Sequence, residues 1–242
     1  MTHSHLVMQP PPTPRRSPVR RRATGMASSI RQEQILDRAV ELVAKAGLAN
    51  LTMKKIAGRV GFSEAAIYRH FPTKQRLLIS LMDRLERLLL DPIRAIAADA
   101  TTPPADRLSS ILTHHLRIVL DHDSLPILLL AEASASGDPK LVQRMRDIFS
   151  PYRALLRELL TQVRPKGRSG RAGVTGTDGP ETAIGPDSLA LLMLGVPAAL
   201  AIQHRLQPQR AIERQAITEV APWLLAAIAG GRATAPSRRT RR

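Results

Sequence analysis

The stretch from Lys45 to Arg76 concentrates side chains that bind phosphate groups. Seven of its residues are lysine or arginine and only one, Glu64, is acidic, so its formal charge is +6. A solvated protein face normally mixes both signs. A one-sided excess of cations over a short stretch is instead typical of a surface that faces a polyanion.

No other grouping of residues predicts catalysis or metal binding. His115 and His122, with Glu132, could supply metal ligands, but the two histidines are separated by two helical turns, about 10.5 Å of rise. The two rings could not both place a nitrogen about 2.0–2.1 Å from the same metal ion. The glycine-rich segment 164–186 has no preceding strand and no Gly-Lys-Ser/Thr, so it predicts a flexible surface loop rather than a nucleotide site. We therefore predict no enzyme activity, no metal and no cofactor.

Composition excludes several further classes of protein. The chain has 242 residues and is 43% hydrophobic, which is enough to bury a core. It has no cysteine, which excludes disulfide scaffolds, zinc fingers, iron–sulfur proteins and thiol catalysts. The longest nearly apolar run, Leu189 to Ile202, has 14 residues, whereas a membrane span needs about 20. With no signal-peptide pattern at the N-terminus, we expect a cytoplasmic protein without a membrane partner.

Composition also divides the chain into segments. Residues 1–27 are rich in proline and arginine and predict a disordered basic arm. Residues 28–75 form a first domain, and 76–230 form a helical domain interrupted by the loop 164–186. A second basic tail, residues 231–242, is predicted to be disordered.

The spacing of apolar residues predicts an all-α fold. A first helix follows the possible caps Ser28 and Ser29 and stops at Gly47. Thr73 caps a long helix, and the pair Asp91-Pro92 predicts that this helix ends and a new one starts. Further helices are expected at about 105–122, 125–135, 138–163, 187–206 and 209–229.

Two short helices within the basic stretch have the spacing of a helix-turn-helix motif. Thr52 caps the first helix, Gly61 makes the sharp turn, and Ser63 caps the second helix. Ala57 is small enough for the helices to cross closely, and Ile67 fixes the second helix inward. The buried side of the motif is predicted to be Ile56, Val60, Phe62, Ile67 and Phe71.

The chain resembles the tetracycline-repressor (TetR) family of bacterial transcriptional regulators over about residues 31–78. The Gly61 turn and the run Tyr68-Arg69-His70-Phe71-Pro72-Thr73-Lys74 are the most specific features. The segment 63–72 is especially similar to the branch of the family that contains the nucleoid-occlusion inhibitor of cell division. The resemblance implies a homodimer of about nine helices per chain, with an N-terminal three-helix DNA-binding domain and a C-terminal helical bundle.

The resemblance implies that one set of residues contacts double-stranded DNA: Thr52, Lys54, Ser63, Glu64, Ala65, Tyr68, Arg69, His70 and Lys74. The N-terminus of the second motif helix would lie deepest in the major groove. There the Glu64 carboxylate would accept a hydrogen bond from a cytosine amino group, or would simply interact with the positive end of the helix dipole. Tyr68, His70 and Lys74 would bind phosphates, although His70 could instead be a packed residue bonded to the main chain.

One recognition helix reads too few base pairs to be selective, whereas two copies about 34 Å apart read a palindrome. The resemblance implies that helices at 187–206 and 209–229 form the dimer interface. Their small and apolar residues are equally compatible with an intramolecular core, and different faces could serve both purposes.

Relatives in this family commonly bind a small molecule in the C-terminal domain. The residues predicted to line such a pocket are Leu116, Leu128, Glu132, Met145, Phe149, Tyr152 and Met193, each of which could also be plain core. Because aromatic residues are few, an aliphatic ligand is expected rather than a planar one, or no ligand at all.

The sequence therefore predicts a dimeric repressor of a palindromic operator that a small apolar ligand releases. A chromosome-bound inhibitor of cell division that reads dispersed sites is the alternative. A basic architectural protein that binds DNA only through its arginine tails is a third possibility.

Overall fold

The computed structural model describes the backbone of residues 18–163 and 184–228, and most side chains from residue 29 onward. Helices form where apolar residues recur at three- and four-residue spacing, and the described ranges contain no strand. A 3₁₀ turn (Leu48–Asn50) follows the first helix, and a π-helical turn (Ala216–Val220) joins the last two. The helices are α1 (Pro18–Ala46), α2 (Met53–Val60), α3 (Glu64–His70), α4 (Lys74–Ala98), α5 (Pro104–Asp121), α6 (Leu125–Ser136), α7 (Pro139–Val163), α8 (Pro186–Leu206), α9 (Arg210–Gln215) and α10 (Ala221–Ile228).

The all-α prediction is confirmed, and the predicted count of about nine helices holds when 210–228 is counted as one element. The start of α1 differs from the prediction. The helix begins at Pro18 rather than after Ser28 or Ser29, because arginine and alanine favour helix and proline is accepted in the first turn. The end of α1 agrees, since Gly47 follows it with a φ of 76°. The rest of the predicted arm, most of the predicted loop and the predicted tail lie outside the described residues.

The predicted break at Asp91-Pro92 is wrong, because α4 continues through Pro92 to Ala98. Proline removes one main-chain donor from a helix and leaves the carbonyl four residues earlier without its partner. That carbonyl belongs to Leu88, and the His114 Nε2 of α5 lies 3.0 Å from its oxygen. A side chain from a neighbouring helix thus replaces the missing donor, and the helix stays intact.

The core is one continuous cluster of buried apolar side chains that runs from Ile35 in α1 to Ala201 in α8. Helices α4, α5, α7 and α8 pack against one another and form the C-terminal bundle. Helices α1, α2 and α3 form the N-terminal domain, and α6 packs against both parts through α1, α4, α7 and α8. Helix α6 therefore lies between the two domains.

Helix α8 is the one described helix that is long and apolar enough to span a membrane, by length and hydropathy alone. It has 21 residues, more than the apolar run in the sequence, because polar residues extend both ends. One face packs on α5 and α7, where Leu189, Met193 and Leu200 are buried. A helix that is apolar all round commonly buries more than one face, and here the second face is exposed.

Candidate nucleic-acid interface

Local hydrogen bonds fix the two motif helices. The Thr52 hydroxyl accepts from the Lys55 main-chain N–H at 3.2 Å, and the Ser63 hydroxyl accepts from the Ala66 N–H at 3.2 Å. Between the helices, Gly61 adopts a left-handed conformation with a φ of 77°, which glycine reaches without steric cost. Both predicted caps and the predicted turn are confirmed, so the sequence itself sets the angle at which α3 leaves α2.

The predicted buried side of the motif is also confirmed. Ile56, Ile67 and Phe71 are buried, and Val60 and Phe62 are partly buried against the same core. Because these residues hold one face of α3 inward, the opposite face is presented to solvent.

The structure places most of the predicted DNA-contacting residues on one exposed surface. Thr52 and Lys54 at the start of α2, and Ser63, Glu64, Ala65, Tyr68 and Arg69 along α3, are all exposed. Tyr68 keeps 45% of its surface accessible, which is high for an aromatic residue. His70 and Lys74 are half-buried at the edge of this surface.

Most of these side chains have no protein partner within the described ranges. Lys54, Glu64, Arg69 and His70 form no ion pair, and the Tyr68 hydroxyl forms no hydrogen bond there. The main-chain bond considered for the His70 ring is not formed with the described residues. An exposed row of unpaired donors beside one unpaired carboxylate is suited to bind phosphates and base edges.

Lys74 is the exception, because its Nζ lies 3.6 Å from the Glu132 Oε1 of α6. Glu132 was predicted to line a ligand pocket, and it instead contacts the first residue of α4. The next residue, Gln75, donates from Nε2 to the Asp138 Oδ2 at 2.5 Å. Two adjacent residues at the start of α4 are thus tied to the segment at and after α6.

Ion pairs hold α1 against α4. The Arg84 guanidinium contacts the Asp37 Oδ1 at 2.5 Å and the Glu33 Oε2 at 3.6 Å, and Arg87 contacts Glu33 at 3.3 Å. At the far end of α1, Arg205 of α8 donates to the Ala44 carbonyl at 2.9 Å. Glu33 and Asp37 of α1 are therefore paired with cations of α4.

Two adjoining cavities lie in the C-terminal domain, of about 450 Å³ and about 200 Å³. They share Leu130, Phe149 and Leu194, which form the boundary between them. The larger, which we call the outer cavity, is otherwise lined by residues of α6 and α7: Ala133, Ser134, Val142, Met145, Arg146, Ser150 and Arg153. The smaller, the inner cavity, is otherwise lined by His115, Val119, Pro126, Ile127, Pro197, Ala198 and Ala201.

Of the seven residues predicted to line a pocket, Met145 and Phe149 line these cavities. The other five do not line either one. Leu116, Tyr152 and Met193 are buried in the core, Leu128 is partly buried against it, and Glu132 pairs with Lys74. The helical periodicity marks Leu116, Leu128, Tyr152 and Met193 as inward-facing. It does not separate residues that touch a void from residues that touch other side chains.

Sequence reasoning missed His115, Leu130, Leu194, Arg146 and Arg153 as cavity residues. Arg146 and Arg153 lie seven residues apart on α7, on the same side as Phe149, and that spacing is a signal that could have found them. His115 is buried, with its Nδ1 3.2 Å from the Tyr152 hydroxyl. Burial lowers the pKa of His115 to about 3 and raises the pKa of Tyr152, so the imidazole is neutral at neutral pH.

The exposed face of α8 carries a stripe of apolar and small residues. Leu191 and Leu206 are 66% and 74% exposed, and a side chain at Gly195 would meet nothing within 4 Å. Together with Ala199 and Ile202 these residues follow helical spacing along one face. Trp223 of α10 is also more than half exposed.

The sequence comparisons and the fold comparison with known proteins point to the same family of regulators. The model of the family "Bacterial regulatory proteins, tetR family" matches residues 35–81. The chain is 34% identical over 143 residues to a nucleoid occlusion factor SlmA of Escherichia coli O1:K1 / APEC, covering 59% of this chain and 72% of that protein. It is 30% identical over 139 residues to the SlmA of Vibrio vulnificus strain YJ016, covering 57% and 70%.

Solved structures share the fold at low identity. A TetR/AcrR-family transcriptional regulator from Thermobifida fusca YX-ER1 has a TM-score of 0.59 at 21% identity, covering 88% of this chain and 99% of that one. The transcriptional regulator FadR from Bacillus subtilis, solved in complex with stearoyl-CoA, has a TM-score of 0.61 at 20% identity, covering 82% and 98%. Since the family model spans the helix-turn-helix motif and the SlmA relatives match across most of their own length, the chain belongs to the tetR family of bacterial regulatory proteins and is a DNA-binding transcriptional regulator, not an enzyme.

Proposed function

We propose that the protein is a homodimeric repressor that binds a palindromic operator through α3 and is released when a small ligand occupies the cavities of the C-terminal domain. The observation that carries the proposal is the exposed row of polar side chains on α3 (Glu64, Tyr68 and Arg69), which have no partner among the described residues. The cavities supply a place for the ligand, and α6 lies between them and the DNA-binding domain. The protein would act in the cytoplasm, at the nucleoid.

The exposed stripe on α8 supports the dimer. Monomeric soluble proteins rarely expose a contiguous apolar patch of this kind. Packing this stripe against the same stripe of a second copy would cover Leu191, Ile202 and Leu206. Two α3 helices would then be held at a fixed separation, as a palindrome requires.

The cavities support ligand binding because they are largely apolar and lie between helices of a bundle, where small-molecule sites commonly occur. FadR from Bacillus subtilis, solved with stearoyl-CoA, has the same fold. Relatives at 34% identity carry a different name, nucleoid occlusion factor, so a chromosome-bound role at dispersed sites is the second candidate.

Mapping bound sites across the chromosome tests the proposal. A repressor should occupy one or a few promoters that contain a palindrome, whereas a nucleoid-occlusion role predicts dozens of scattered sites. The Tyr68→Ala, Arg69→Ala double variant should lose both patterns, because it removes two contacts from α3. Arg117→Gln, at an exposed residue of α5, is the matched control, and this variant should bind as the unsubstituted protein does. If the α3 double variant still binds normally, DNA binding depends on the basic tails and the proposal is wrong.

The dimer has its own test in sedimentation velocity. Leu191→Glu with Ile202→Glu should give monomers, because two charges would be buried in the apolar interface. Ile30→Glu, at another exposed apolar residue, should remain dimeric. A dimeric double variant would contradict the assignment of the interface to α8.

A further inference from the structure

The two cavities adjoin each other and differ in the chemistry of their far ends. The inner cavity extends beneath α8 to His115 of α5, and the outer cavity opens between α6 and α7. Leu130, Phe149 and Leu194 lie where they meet. A single elongated molecule that passes between these three side chains would place one end in each environment.

The inner end is suited to an uncharged, apolar group. His115 is the one polar side chain among the described residues that line it. Its Nδ1 is hydrogen-bonded to the Tyr152 hydroxyl. The buried ring stays neutral because its pKa is lowered to about 3. A charged group placed here would lose its hydration without gaining an opposite charge, which is strongly unfavourable.

The outer end carries positive charge that no described residue neutralises. Arg146 and Arg153 line it, two turns apart on the same face of α7, and neither forms an ion pair with any described residue. No aspartate or glutamate of the described chain lines either cavity. The neighbouring Arg144 is different, because Asp83 at 2.7 Å and Glu86 both pair with it.

We propose that the ligand is a single-chain anionic amphiphile, with its apolar tail in the inner cavity and its anionic head at Arg146 and Arg153. This rests on the proposed release of the repressor by a ligand and names the class of that ligand. An arginine fork binds a carboxylate or a phosphate equally through paired N–H groups, so the head could be either group. The tail follows from the apolar lining around Phe149 and Leu194.

Titration calorimetry on the full chain without DNA tests the ligand class. The probes are dodecanoate and dodecyl phosphate, each below its micelle concentration, and dodecanol, below its solubility limit in water. At least one of the two anions should bind once per chain, and dodecanol should bind at least about tenfold more weakly, since a tenfold change corresponds to about 1.4 kcal/mol. The relative affinities of the two anions identify the head as a carboxylate or a phosphate.

Two variants and one control locate the two ends of the bound amphiphile. Arg146→Gln with Arg153→Gln should weaken anion binding at least about tenfold and leave dodecanol unchanged. Arg117→Gln with Lys140→Gln removes the same charge from exposed residues outside both cavities and should have no effect. Ala198→Leu, which fills the inner cavity, should weaken dodecanoate more than octanoate because only the longer tail needs that space.

The inference is overturned if dodecanol binds as tightly as the anions, if the cavity arginine variant binds them normally, or if none of the three probes binds. Chromosomal binding is measured separately and without these probes. A failed amphiphile titration would therefore leave DNA binding by α3 intact, and a failed DNA experiment would leave the titration valid.

Discussion

The His114 imidazole supplies the hydrogen bond that Pro92 takes away from Leu88. His114 Nε2 lies 3.0 Å from the Leu88 oxygen, and that carbonyl is four residues before Pro92 within α4. A buried carbonyl without a donor costs free energy comparable to a lost hydrogen bond. The contact therefore couples α5 to the one position where α4 would otherwise be broken.

We expect His114→Ala to lower the free energy of unfolding by about 1 kcal/mol. In a Pro92→Ala background the same substitution should cost much less, because an alanine in place of the proline restores the main-chain donor to Leu88. Chemical denaturation of the four proteins of this double-mutant cycle measures the coupling. Equal costs in both backgrounds would show that the imidazole does not replace the proline's missing donor.

Removal of the Glu132 carboxylate should tighten DNA binding. If Lys74 binds a DNA phosphate as proposed, Glu132 would compete with that phosphate for Lys74, and a partly exposed pair of this kind contributes at most about 1 kcal/mol. Glu132→Gln should thus raise the affinity for DNA by about two- to fivefold at low salt. Fluorescence anisotropy with a bound chromosomal fragment measures it.

Glu158→Gln is the control for this experiment, because it removes the same charge from an exposed residue of α7 that has no described ion pair. The increase in DNA affinity should also disappear when Lys74→Gln is combined with Glu132→Gln. A general charge effect would appear equally in the Glu158 variant and would contradict the competition.

Glu64 should determine preference at one base position in each half-site. It is the first residue of α3 and has no described partner, and a carboxylate in the major groove accepts a hydrogen bond from cytosine. Glu64→Ala should relax that one preference without weakening binding to random sequence. Selection from a randomised DNA library, followed by sequencing, reads every position at once. An unchanged preference would leave Glu64 only an interaction with the helix dipole.

Acidification should destabilise the protein before its carboxylates titrate. The pKa of His115 is lowered from 6.5 to about 3 by burial, and the pKa of His122 is lowered by the same cause. The unfolded chain binds protons below about pH 6.5 that the folded His115 does not accept, so this contribution to stability is present above that pH and is lost as pH falls toward 3. The slope is about 1.4 kcal/mol per pH unit for one such group.

His115→Gln should reduce this slope between pH 6.5 and 4.5, a window that lies above the titration of most carboxylates. The amide can still bond to the Tyr152 hydroxyl, so the fold should be retained. Urea denaturation at several pH values gives the slope directly. A variant with the unsubstituted protein's pH dependence would show that another group is responsible.

The sequence predicts the helix-turn-helix domain well because its signals are local. Thr52 and Ser63 cap helices within three residues of themselves, and Gly61 makes the turn between them. These interactions do not depend on the rest of the chain. Which face of α3 is exposed follows from the same short-range pattern.

The features that sequence reasoning missed join distant residues. Leu88 receives its donor from His114, 26 positions later, and Lys74 meets Glu132, 58 positions later (132 minus 74). Cavity lining likewise depends on how α5, α6, α7 and α8 pack together. Helical periodicity tells which residues point inward, and only the packing decides which of these border empty space.

The continuity of α4 restricts how this regulator could be recombined with others. The helix begins beside the DNA-binding surface, and its Arg84 and Arg87 still hold Glu33 and Asp37 of α1 three turns later. A chimera that joins the N-terminal domain of this chain to the C-terminal domain of another family member at Lys74 would lose those partners. A junction beyond Arg87 would transfer the N-terminal domain together with Arg84 and Arg87, which pair with Glu33 and Asp37 of α1.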